Sequence, residues 1–406
     1  MSNFDKEIAA DLEVLRKAGL WRELRELDSP QGREIVLEGR RLLNFSSNDY
    51  LGLANALELR EAAAKAARDF GAGAGASRLV CGSLRPFREL EEALARFQET
   101  EGALAFSSGY SCALGTIQAL VGANDISVID KLVHASVVDG VKLSGAKMRV
   151  FRHNDLNSLA EILAWADRQN LARTKKARVL ILTESIFSMD GDRAPLREIV
   201  ALKERHGAWL MVDEAHGTGL YGPHRRGVIE ELGLSERIEV HMGTLGKAMG
   251  ASGGFICGSR SLIDLLINKA RSFIFSTAPV PAAVGAARAG VELVQSAEGQ
   301  RRRTLLWERV RQVTAEMGSM LSFPSERSAI IPWMIGSEAA AVKASAHLRG
   351  QGCFIPAIRY PTVPHGKARL RMTFTAEHTE GDVQKLAGLV RNGGEELGAA
   401  APFCQK

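Results

Sequence analysis

A lysine lies in a short turn between two glycines, directly after an apolar segment. The turn is Thr244-Leu245-Gly246-Lys247-Ala248-Met249-Gly250, and it follows the predicted strand Ile238–Met242. A lysine held in such a turn can bind a phosphate, pair with a buried acid or form a Schiff base with a carbonyl. A phosphate-binding P-loop requires the pattern G-x-x-x-x-G-K-[ST], and Ala248 occupies the position of its hydroxyl residue. The turn is therefore not a P-loop, and the other roles stay open.

An acid follows a second apolar segment some thirty residues upstream. Trp209-Leu210-Met211-Val212 runs directly into Asp213-Glu214-Ala215-His216. Open α/β sheets place ligand-binding groups at the carboxyl ends of their buried parallel strands. Pyridoxal phosphate needs a lysine for its aldehyde, an acid for its ring nitrogen and backbone donors for its phosphate. Ser107-Ser108-Gly109-Tyr110, before the predicted helix Ser111–Leu120, offers such donors. The three features in this order indicate a pyridoxal phosphate site.

Helical and strand-like segments alternate from about Arg88 to Arg271. This alternation predicts an α/β fold whose large domain contains a mostly parallel, doubly wound sheet. The intervening helices include Arg88–Gln98, Asn157–Gln169 and Leu196–His206. The predicted strands are Ala103–Phe106, Ile126–Asp130, Met148–Phe151, Val179–Thr183, Trp209–Val212, Val240–Gly243 and Gly254–Cys257.

The segments on either side of this alternation define the predicted domains. Residues 1–48 should form an N-terminal helix, Lys6–Leu27, and two short strands, Glu34–Leu37 and Leu42–Phe45. Residues 49–280 should form the large domain, and residues 281–406 a smaller C-terminal α/β domain. A capping-box pattern, Thr379-Glu380-Gly381-Asp382, predicts the start of the last helix.

The composition is that of an ordinary globular protein and excludes several classes. Of 406 residues, 46% are hydrophobic and 24% charged, and the formal charge of +5 is dispersed. This mild charge gives no reason to expect nucleic-acid binding, although it is compatible with a polyanionic coenzyme A thioester. The five cysteines are an odd number without a C-x-x-C pair, which favours a reducing compartment. With no apolar signal core at the N-terminus and no membrane span, we expect a cytoplasmic protein.

Three competing interpretations start from the same residues. Asp213-Glu214-Ala215-His216 spells the DEAH box of helicases, but the only Gly-Lys pairs, Gly246-Lys247 and Gly366-Lys367, are both followed by alanine. The ATPase interpretation therefore lacks its phosphate cradle. Three histidines could suggest a metal site, but no H-E-x-x-H pattern is present and no metal is predicted; they are His206, His216 and His224. A non-catalytic binding module would not require an acid, a lysine and a phosphate site together, and it stays a fallback.

Taken together, five motifs resemble those of the α-oxoamine synthases, which are fold-type-I pyridoxal phosphate enzymes. The resemblance runs from about Asn44 to Thr379. Two further stretches, Phe187–Asp192 and Ile358–Pro364, are most similar to the branch of biotin synthesis that uses L-alanine and a pimeloyl thioester. The five motifs are Ser47-Asn48-Asp49-Tyr50-Leu51-Gly52-Leu53, Gly75-Ala76-Ser77-Arg78-Leu79, Asp213-Glu214-Ala215-His216-Gly217-Thr218-Gly219, Thr244-Leu245-Gly246-Lys247-Ala248 and Phe275-Ser276-Thr277.

The resemblance implies roles for the residues around the cofactor. Lys247 would form the Schiff base and later move the Cα proton of the substrate. Asp213 would pair with the protonated ring nitrogen, and His134 would stack on the ring face. His216 and Ser188 would hydrogen-bond the ring hydroxyl or its surroundings. The remaining residues that would hold the cofactor are Ser108, Gly109, Tyr110 and Thr244, with Thr277 reaching the phosphate in the neighbouring subunit of a homodimer.

The resemblance also implies the substrates. Asn48 and Arg359 would position the amino-acid carboxylate, and Arg22 and Thr362 would contact the acyl group. Ser77 stands where the glycine-using branch typically presents threonine, which leaves room for the methyl group of L-alanine. The implied reaction is a decarboxylative condensation of L-alanine with pimeloyl-CoA or a pimeloyl carrier protein, releasing the thiol and CO2. The alternatives are another activity of the family, such as glycine C-acetyltransferase or serine palmitoyltransferase, and, more remotely, a non-catalytic pyridoxal phosphate-binding module.

Overall fold

The computed structural model describes residues 2–171, 173–318, 321 and 323–393. The described chain forms two compact units. The larger unit comprises Leu51–Ser188 and Asp192–Arg303, and the smaller comprises the described parts of Met1–Tyr50, Met189–Gly191 and Thr304–Lys406. The predicted domains 1–48, 49–280 and 281–406 stay predictions, and residues 394–406 of the last one lie outside the described residues, as does Cys404.

Helices and strands alternate through most of the chain. In the first half they are α1 (Asn3–Lys17), β1 (Glu34–Leu37), β2 (Arg40–Asn44), α2 (Leu57–Phe70), α3 (Arg85–Gln98), β3 (Gly102–Phe106), α4 (Gly109–Leu120), β4 (Ile126–Asp130), α5 (Ala135–Ser144), β5 (Lys147–Phe151), α6 (Leu156–Leu171), β6 (Val179–Glu184) and α7 (Leu196–Arg205). In the second half they are β7 (Trp209–Asp213), α8 (Val228–Glu231), β8 (Val240–Thr244), β9 (Gly254–Gly258), α9 (Arg260–Lys269), α10 (Arg271–Ile274), α11 (Pro281–Gln295), α12 (Ala297–Met317), β10 (Ile330–Gly336), α13 (Glu338–Gly350), β11 (Cys353–Phe354), β12 (Ala357–Ile358), β13 (Ala368–Thr373) and α14 (Glu380–Gly393).

A seven-stranded sheet organises the larger unit, with the strand order β3-β9-β8-β7-β6-β4-β5. The pairs from β8 to β5 are parallel, whereas β9 is antiparallel to both β3 and β8. All residues of β3, β4 and β6 are buried, as expected for strands covered by helices on both faces. The predicted mostly parallel sheet is confirmed, and the seven strands predicted from the alternation each lie within one residue of the observed bounds. The bounds Ile238–Met242 for the strand before Lys247 were wrong by two residues at each end, because β8 is Val240–Thr244.

The smaller unit contains two three-stranded sheets, in the orders β10-β13-β12 and β1-β2-β11. The first is antiparallel throughout, and in the second β11 runs parallel to β2. The predicted capping box at the last helix is confirmed. Asp382 Oδ2 accepts from Thr379 N at 2.7 Å, and Thr379 Oγ1 accepts from Asp382 N at 3.2 Å.

The predicted N-terminal helix, Lys6–Leu27, was wrong at its C-terminal end, because α1 stops at Lys17. Gly19 adopts φ of +66°, and its N–H donates to Arg16 O at 3.0 Å, which closes the helix. No residue of α1 is buried within this chain. The apolar spacing of the segment therefore marks an amphipathic helix, but one that adds nothing to the described core.

No helix in the described part of the chain is long and apolar enough to cross a membrane. The four cysteines within the described ranges are free thiols.

A buried histidine should make the smaller unit sensitive to acid. His378 is 3% exposed, stacks on Phe45 at 4.4 Å between ring centroids, and accepts at Nδ1 from Thr375 N. Burial lowers the pKa of His378 to about 4. Between about pH 6.5 and pH 4, His378 binds a proton in the unfolded chain but not in the folded chain. The free energy of unfolding therefore falls as the pH falls through this range.

We expect this histidine to account for roughly 3 kcal/mol of unfolding free energy lost over that range. Denaturant unfolding at several pH values should therefore give a shallower pH slope for His378→Gln than for the unchanged chain. The half-buried His347 on α13 provides the control, and His347→Gln should keep the full slope. Equal slopes for all three proteins would contradict the prediction.

Candidate active site

Two acids lie side by side at the carboxyl edge of the large sheet. Strand β6 ends at Glu184 and β7 at Asp213, and the parallel register pairs these two residues directly. Side chains at paired positions of neighbouring strands point to the same face of a sheet. Glu184 is 3% exposed and Asp213 is 6% exposed. The fold thus places two carboxyl groups together in a nearly dry environment.

Asp213 is the acid that the sequence predicted. Burial raises the pKa of Asp213, whereas the charge of Lys247 and a hydrogen bond from Ala215 N to Asp213 Oδ1, at 2.8 Å, act in the opposite direction. The charge of Lys247 is the largest of the influences that favour ionised Asp213. The predicted lysine and the predicted acid therefore interact in the structure.

The turn that carries Lys247 connects the antiparallel strands β8 and β9. Backbone bonds close it, from Gly250 N to Lys247 O and from Ala251 N to Leu245 O, each at 2.8 Å. Lys247 Nζ lies 2.8 Å from His216 Nε2. At this distance a neutral imidazole accepts a hydrogen bond from the amine. His216 can therefore orient the side chain of Lys247 and exchange a proton with it.

His134 stands at the N-terminus of α5, which follows β4. Its ring Nδ1 accepts from Ser136 N at 3.2 Å and lies 2.8 Å from Ser136 Oγ. The side chain is accessible to solvent, but burial of part of the ring still lowers its pKa. The charges of Asp213 and Lys247 both act on this ring. His134 is thus a neutral ring close to the acid and the lysine, as stacking on a cofactor would require.

A helix N-terminus adjoins the same edge. Ser108 caps α4 and accepts from Ser111 N at 3.1 Å, which leaves the first turn of the helix with outward N–H groups. A Cβ built at Gly109 would lie 3.7 Å from Thr244 Oγ1, so the predicted residues of α4 and β8 are neighbours. Tyr110 donates to Asp139 Oδ2 at 2.5 Å and packs edge-on to His134, with 6.5 Å between the ring centroids.

Ser188 lies in the loop after β6, and a charged histidine fastens this loop. His153 Nδ1 lies 2.9 Å from Asp130 Oδ1, and His153 Nε2 lies 2.8 Å from Asp192 Oδ2. Burial opposes the charge of His153, but these two hydrogen bonds and the carboxylate charges raise its pKa to about 10. An imidazolium therefore joins the end of β4 to the loop that carries Ser188.

Sequence reasoning missed Glu184. Its Oε1 accepts from His134 N at 2.6 Å, and it also accepts a backbone hydrogen bond from Ser188. The signal was present, because Glu184 ends the apolar run of Val179–Glu184 just as Asp213 ends its own strand. An acid that ends a buried strand is the common signature of both residues.

Ser77 and Thr277 meet elsewhere in the larger unit. They form an isolated antiparallel bridge, and Ala278 N donates to Ala76 O at 3.0 Å. The structure therefore joins the predicted alanine-pocket residue to the residue predicted to serve the neighbouring subunit. Their roles stay predictions.

Four of the five predicted substrate residues belong to the smaller unit, and the fifth is Ser77. Asn48 Oδ1 accepts from Arg371 Nη1 at 3.0 Å, which gives Asn48 a buried arginine as partner. Arg359 donates to the carbonyls of Gly19 and Trp21, at 2.5 and 3.1 Å. Arg22 and Thr362 lie near Arg359. Arg22 donates to Tyr360 O at 3.2 Å, and Thr362 N donates to Arg359 O at 3.0 Å. Their roles toward a substrate stay predictions.

The histidines of the metal hypothesis have separate partners. His206 Nδ1 lies 2.6 Å from Asp167 Oδ2, His224 Nδ1 lies 2.6 Å from Glu230 Oε1, and His216 faces Lys247. No group of three or more potential ligands is close enough to hold a metal ion within the ranges that the structure describes.

The residues gathered at the sheet edge fit pyridoxal phosphate. Asp213 provides a carboxylate for the ring nitrogen, Lys247 an amine for the aldehyde, and the N-terminus of α4 donors for the phosphate. His134 offers a neutral ring beside them. These four features lie in one compact unit, so the fit does not depend on any arrangement between units.

The lysine turn depends on one glycine, which yields a test. Gly250 adopts φ of +66°, and a Cβ added there would lie 2.5 Å from the backbone carbon and from the Cβ of Leu53. Gly250→Ala should lower the free energy of unfolding by roughly 2–5 kcal/mol, because strain and overlap add. In the same turn, a Cβ at Gly246 would lie 3.6 Å from Ala251 O, an ordinary contact. Chemical denaturation should therefore find Gly246→Ala close to the unchanged chain, and two equally stable variants would refute the strain argument.

The chain is similar to known proteins over most of its length. The pattern of the family described as aminotransferase class I and II matches residues 40–390. An 8-amino-7-oxononanoate synthase of Geobacter sulfurreducens is 43% identical over 97% of this chain and 99% of its own length. Another, of Anaeromyxobacter dehalogenans, is 48% identical over 93% and 92%.

Among solved structures, the chain is similar to a serine palmitoyltransferase of S. paucimobilis with a bound PLP–myriocin aldimine. The TM-score is 0.90 at 29% identity, over 98% of this chain and all of that one. The family match and the high identities together decide the affiliation. The chain belongs to the aminotransferase class I and II family of fold-type-I pyridoxal phosphate enzymes and, within it, to the α-oxoamine synthases.

Proposed function

We propose that this chain catalyses the decarboxylative condensation of L-alanine with a pimeloyl thioester, giving 8-amino-7-oxononanoate, the free thiol and CO2. One observation carries the proposal: identities of 43% and 48%, over nearly the whole chain, to enzymes with this name. The thioester is that of coenzyme A or of a carrier protein. The protein would act in biotin synthesis as a cytoplasmic homodimer with shared active sites.

Several residues would hold the cofactor in this reaction. Asp213 would pair with the ring nitrogen, His134 would lie against the ring, and the N-terminus of α4 would bind the phosphate. Ser188 and Thr244 would complete the contacts. Bound pyridoxal phosphate supplies a protonated ring that withdraws electrons from the carbon being activated. Buried Asp213 suits this task, since an ionised acid in a dry environment holds the proton on a basic nitrogen strongly.

Lys247 would carry the protons of the reaction. Its Nζ would take the proton from Cα of L-alanine and return one to the same carbon after CO2 has left. His216 would orient the amine through the 2.8 Å contact between Nε2 and Nζ and keep a proton within reach. The charge of Lys247 lies close enough to Asp213 to favour the ionised form of this acid.

Five residues would contact the substrates. Arg359 and Asn48 would bind the amino-acid carboxylate, for which the planar guanidinium is well suited. Arg22 and Thr362 would contact the acyl substrate, and Ser77 would shape the space beside Cα. Thr362 N donates to Arg359 O, and Arg22 donates to the adjacent Tyr360 O, which supports a preorganised set around Arg359. Asn48 contacts Arg371 instead.

A serine palmitoyltransferase is the second candidate, because the structural similarity to such an enzyme is high. The identity of 29% to that enzyme, against 43% and 48% to the alanine-using enzymes, favours the first proposal. A panel of alanine, glycine and serine with pimeloyl-CoA and palmitoyl-CoA tests both. The highest kcat/KM for serine with palmitoyl-CoA would replace the first proposal by the second.

Replacing the lysine should abolish the reaction without unfolding the protein. Lys247 lies in a turn and packs only partly into the protein, so Lys247→Ala should keep the thermal midpoint of the apo-protein nearly unchanged. Borohydride reduction of the unchanged, cofactor-loaded enzyme should attach the cofactor to the Lys247 peptide in a mass-spectrometric map. An active enzyme whose Lys247 peptide stays unmodified after reduction would sink the assignment.

Shared active sites would allow two inactive variants to rescue each other. In a heterodimer of Lys247→Ala and Thr277→Ala subunits, one site would contain both an intact Lys247 and an intact Thr277 from the other chain. Mixing the two under conditions of subunit exchange should restore part of the activity. Exchange without recovery, when each variant alone is strongly impaired, would argue against Thr277 acting across the interface.

The choice of amino acid should depend on Ser77. With serine at this position the pocket has room for the methyl group of alanine, and Ser77→Thr should remove that room. A methyl-sized change is worth about 1–3 kcal/mol, or roughly tenfold to a hundredfold in kcat/KM. The ratio of kcat/KM for alanine over glycine, measured with pimeloyl-CoA, should fall by that factor in Ser77→Thr. An unchanged ratio would remove Ser77 from the pocket wall.

A further inference from the structure

Glu184 has a position that the reaction does not yet explain. It ends β6 next to Asp213 on β7, is 3% exposed, and lies at the edge of the sheet where the cofactor residues gather. Burial of an acid is costly unless its oxygens are hydrogen-bonded. An acid retained in such a place therefore calls for partners that depend on it.

Those partners are the backbones of two loops. Oε1 of Glu184 accepts from His134 N at 2.6 Å, and the carboxyl group also accepts a hydrogen bond from the backbone of Ser188. His134 follows β4 and Ser188 follows β6, so one side chain holds two loops that leave neighbouring strands. A loop residue whose backbone is fixed in this way keeps its side chain at a constant place and angle.

We propose that Glu184 is a positioning residue of the cofactor site, which holds the backbones of His134 and Ser188 beside Asp213. Its neutral form would serve this purpose at neutral pH. The proposal rests on the proposed function, because it concerns the same pyridoxal phosphate site. Glu184 itself need not touch the cofactor. It acts through the ring of His134 and through the loop that presents Ser188.

The neutral state follows from the groups that face Glu184. These are Asp213 on β7, Lys247 in the turn after β8, and His134 before α5. Two paired carboxyl groups in a dry environment resist double ionisation. Burial, followed by the charge of Asp213, raises the pKa of Glu184 to about 8. Lys247 and the backbone hydrogen bonds from His134 and Ser188 oppose this shift.

In this arrangement Asp213 would carry the negative charge of the pair. It has the hydrogen bond from Ala215 N and its strongest favourable interaction with Lys247. A neutral Glu184 places no second negative charge next to Asp213. At neutral pH, Asp213 alone would therefore hold the proton on the ring nitrogen of the cofactor. Above about pH 8 the second carboxylate would form and stabilise positive charge on nearby groups.

Glu214 offers a matched control in the same chain. It is also a buried glutamate, 3% exposed, and burial raises its pKa to about 7. It directly follows Asp213, but its oxygens accept from Ser185 Oγ and Ile229 N, both at 2.6 Å. Its partners therefore differ from those of Glu184, while residue type, burial and chain position are nearly the same.

The experiment compares the unchanged chain with Glu184→Ala, Glu184→Gln and Glu214→Gln. The apo-proteins are titrated with pyridoxal phosphate, and the visible absorbance of the bound cofactor gives its dissociation constant. The spectrum of each loaded protein is then followed between about pH 6 and 9.5 to obtain the midpoint of its transition. The thermal midpoint of each apo-protein reports stability separately.

We expect Glu184→Ala to weaken cofactor binding by roughly tenfold to a hundredfold, because two backbone donors lose their acceptor. Glu184→Gln resembles the neutral acid and should bind within about threefold of the unchanged chain. Its spectral midpoint should be lower, because an amide cannot become the carboxylate that stabilises positive charge at high pH. Glu214→Gln should change the thermal midpoint alone.

Other results would overturn the proposal. If Glu184→Ala binds the cofactor as tightly as the unchanged chain, Glu184 does not position the site. If Glu184→Gln has the same spectral midpoint as the unchanged chain, Glu184 does not act as a neutral acid. This variant is the one to be measured if Glu184→Ala fails to fold. If Glu214→Gln shifts binding and midpoint as much as Glu184→Gln, the effect belongs to any buried glutamate. An unchanged chain that binds no pyridoxal phosphate would instead refute the proposed function.

Discussion

The burial of two acids at a single sheet edge, beside the partly buried Lys247, constrains the rest of the larger unit. An unpaired charge in such an environment is very costly, so Asp213 and Glu184 depend on hydrogen bonds to their oxygens. The bonds come from backbone N–H groups of the loops that follow the strands, at Ala215, His134 and Ser188. The two carboxyl groups can therefore remain buried only if these loops keep the conformations that present their N–H groups.

The topology of the sheet makes this gathering possible. Parallel strands β4, β6, β7 and β8 bring their carboxyl ends to one edge, which assembles loops from distant parts of the chain. The antiparallel strand β9 serves a different purpose, because it returns the chain directly after Lys247. The lysine is therefore held in a short connection closed by Leu245 and Ala251, and Phe255 lies so close to Gly243 that a Cβ there would overlap its ring.

The strands and the acid–lysine pair could be predicted because their signals are local. Apolar runs such as Val179–Thr183 end abruptly in polar residues, and motif order located Asp213, Lys247 and the N-terminus of α4. The end of α1 was missed, because apolar spacing continues past Lys17 while Gly19 closes the helix through its backbone. Likewise the antiparallel direction of β9 depends on pairing with β3 and β8, which no local pattern records.

The partners of polar side chains were the hardest feature to foresee, since they depend on three-dimensional neighbours. Arg359 shows this, because its guanidinium donates to the carbonyls of Gly19 and Trp21, which lie far away in sequence. A charged fork that is already fixed by two carbonyls loses less conformational freedom when it binds an anion. These contacts are therefore compatible with the carboxylate binding proposed for Arg359.

The pair Asp213 and Glu214 shows how the fold separates roles between identical chemistries. Asp213 is the last residue of β7 and Glu214 directly follows the strand, and the two adjacent acids enter different environments. Asp213 meets Lys247 and His134, whereas Glu214 meets Ser185 and Ile229, and burial raises the pKa of both. From the sequence motif alone, the two carboxyl groups of Asp213 and Glu214 cannot be told apart. Their roles differ because different groups face them in the fold, and Lys247 faces Asp213.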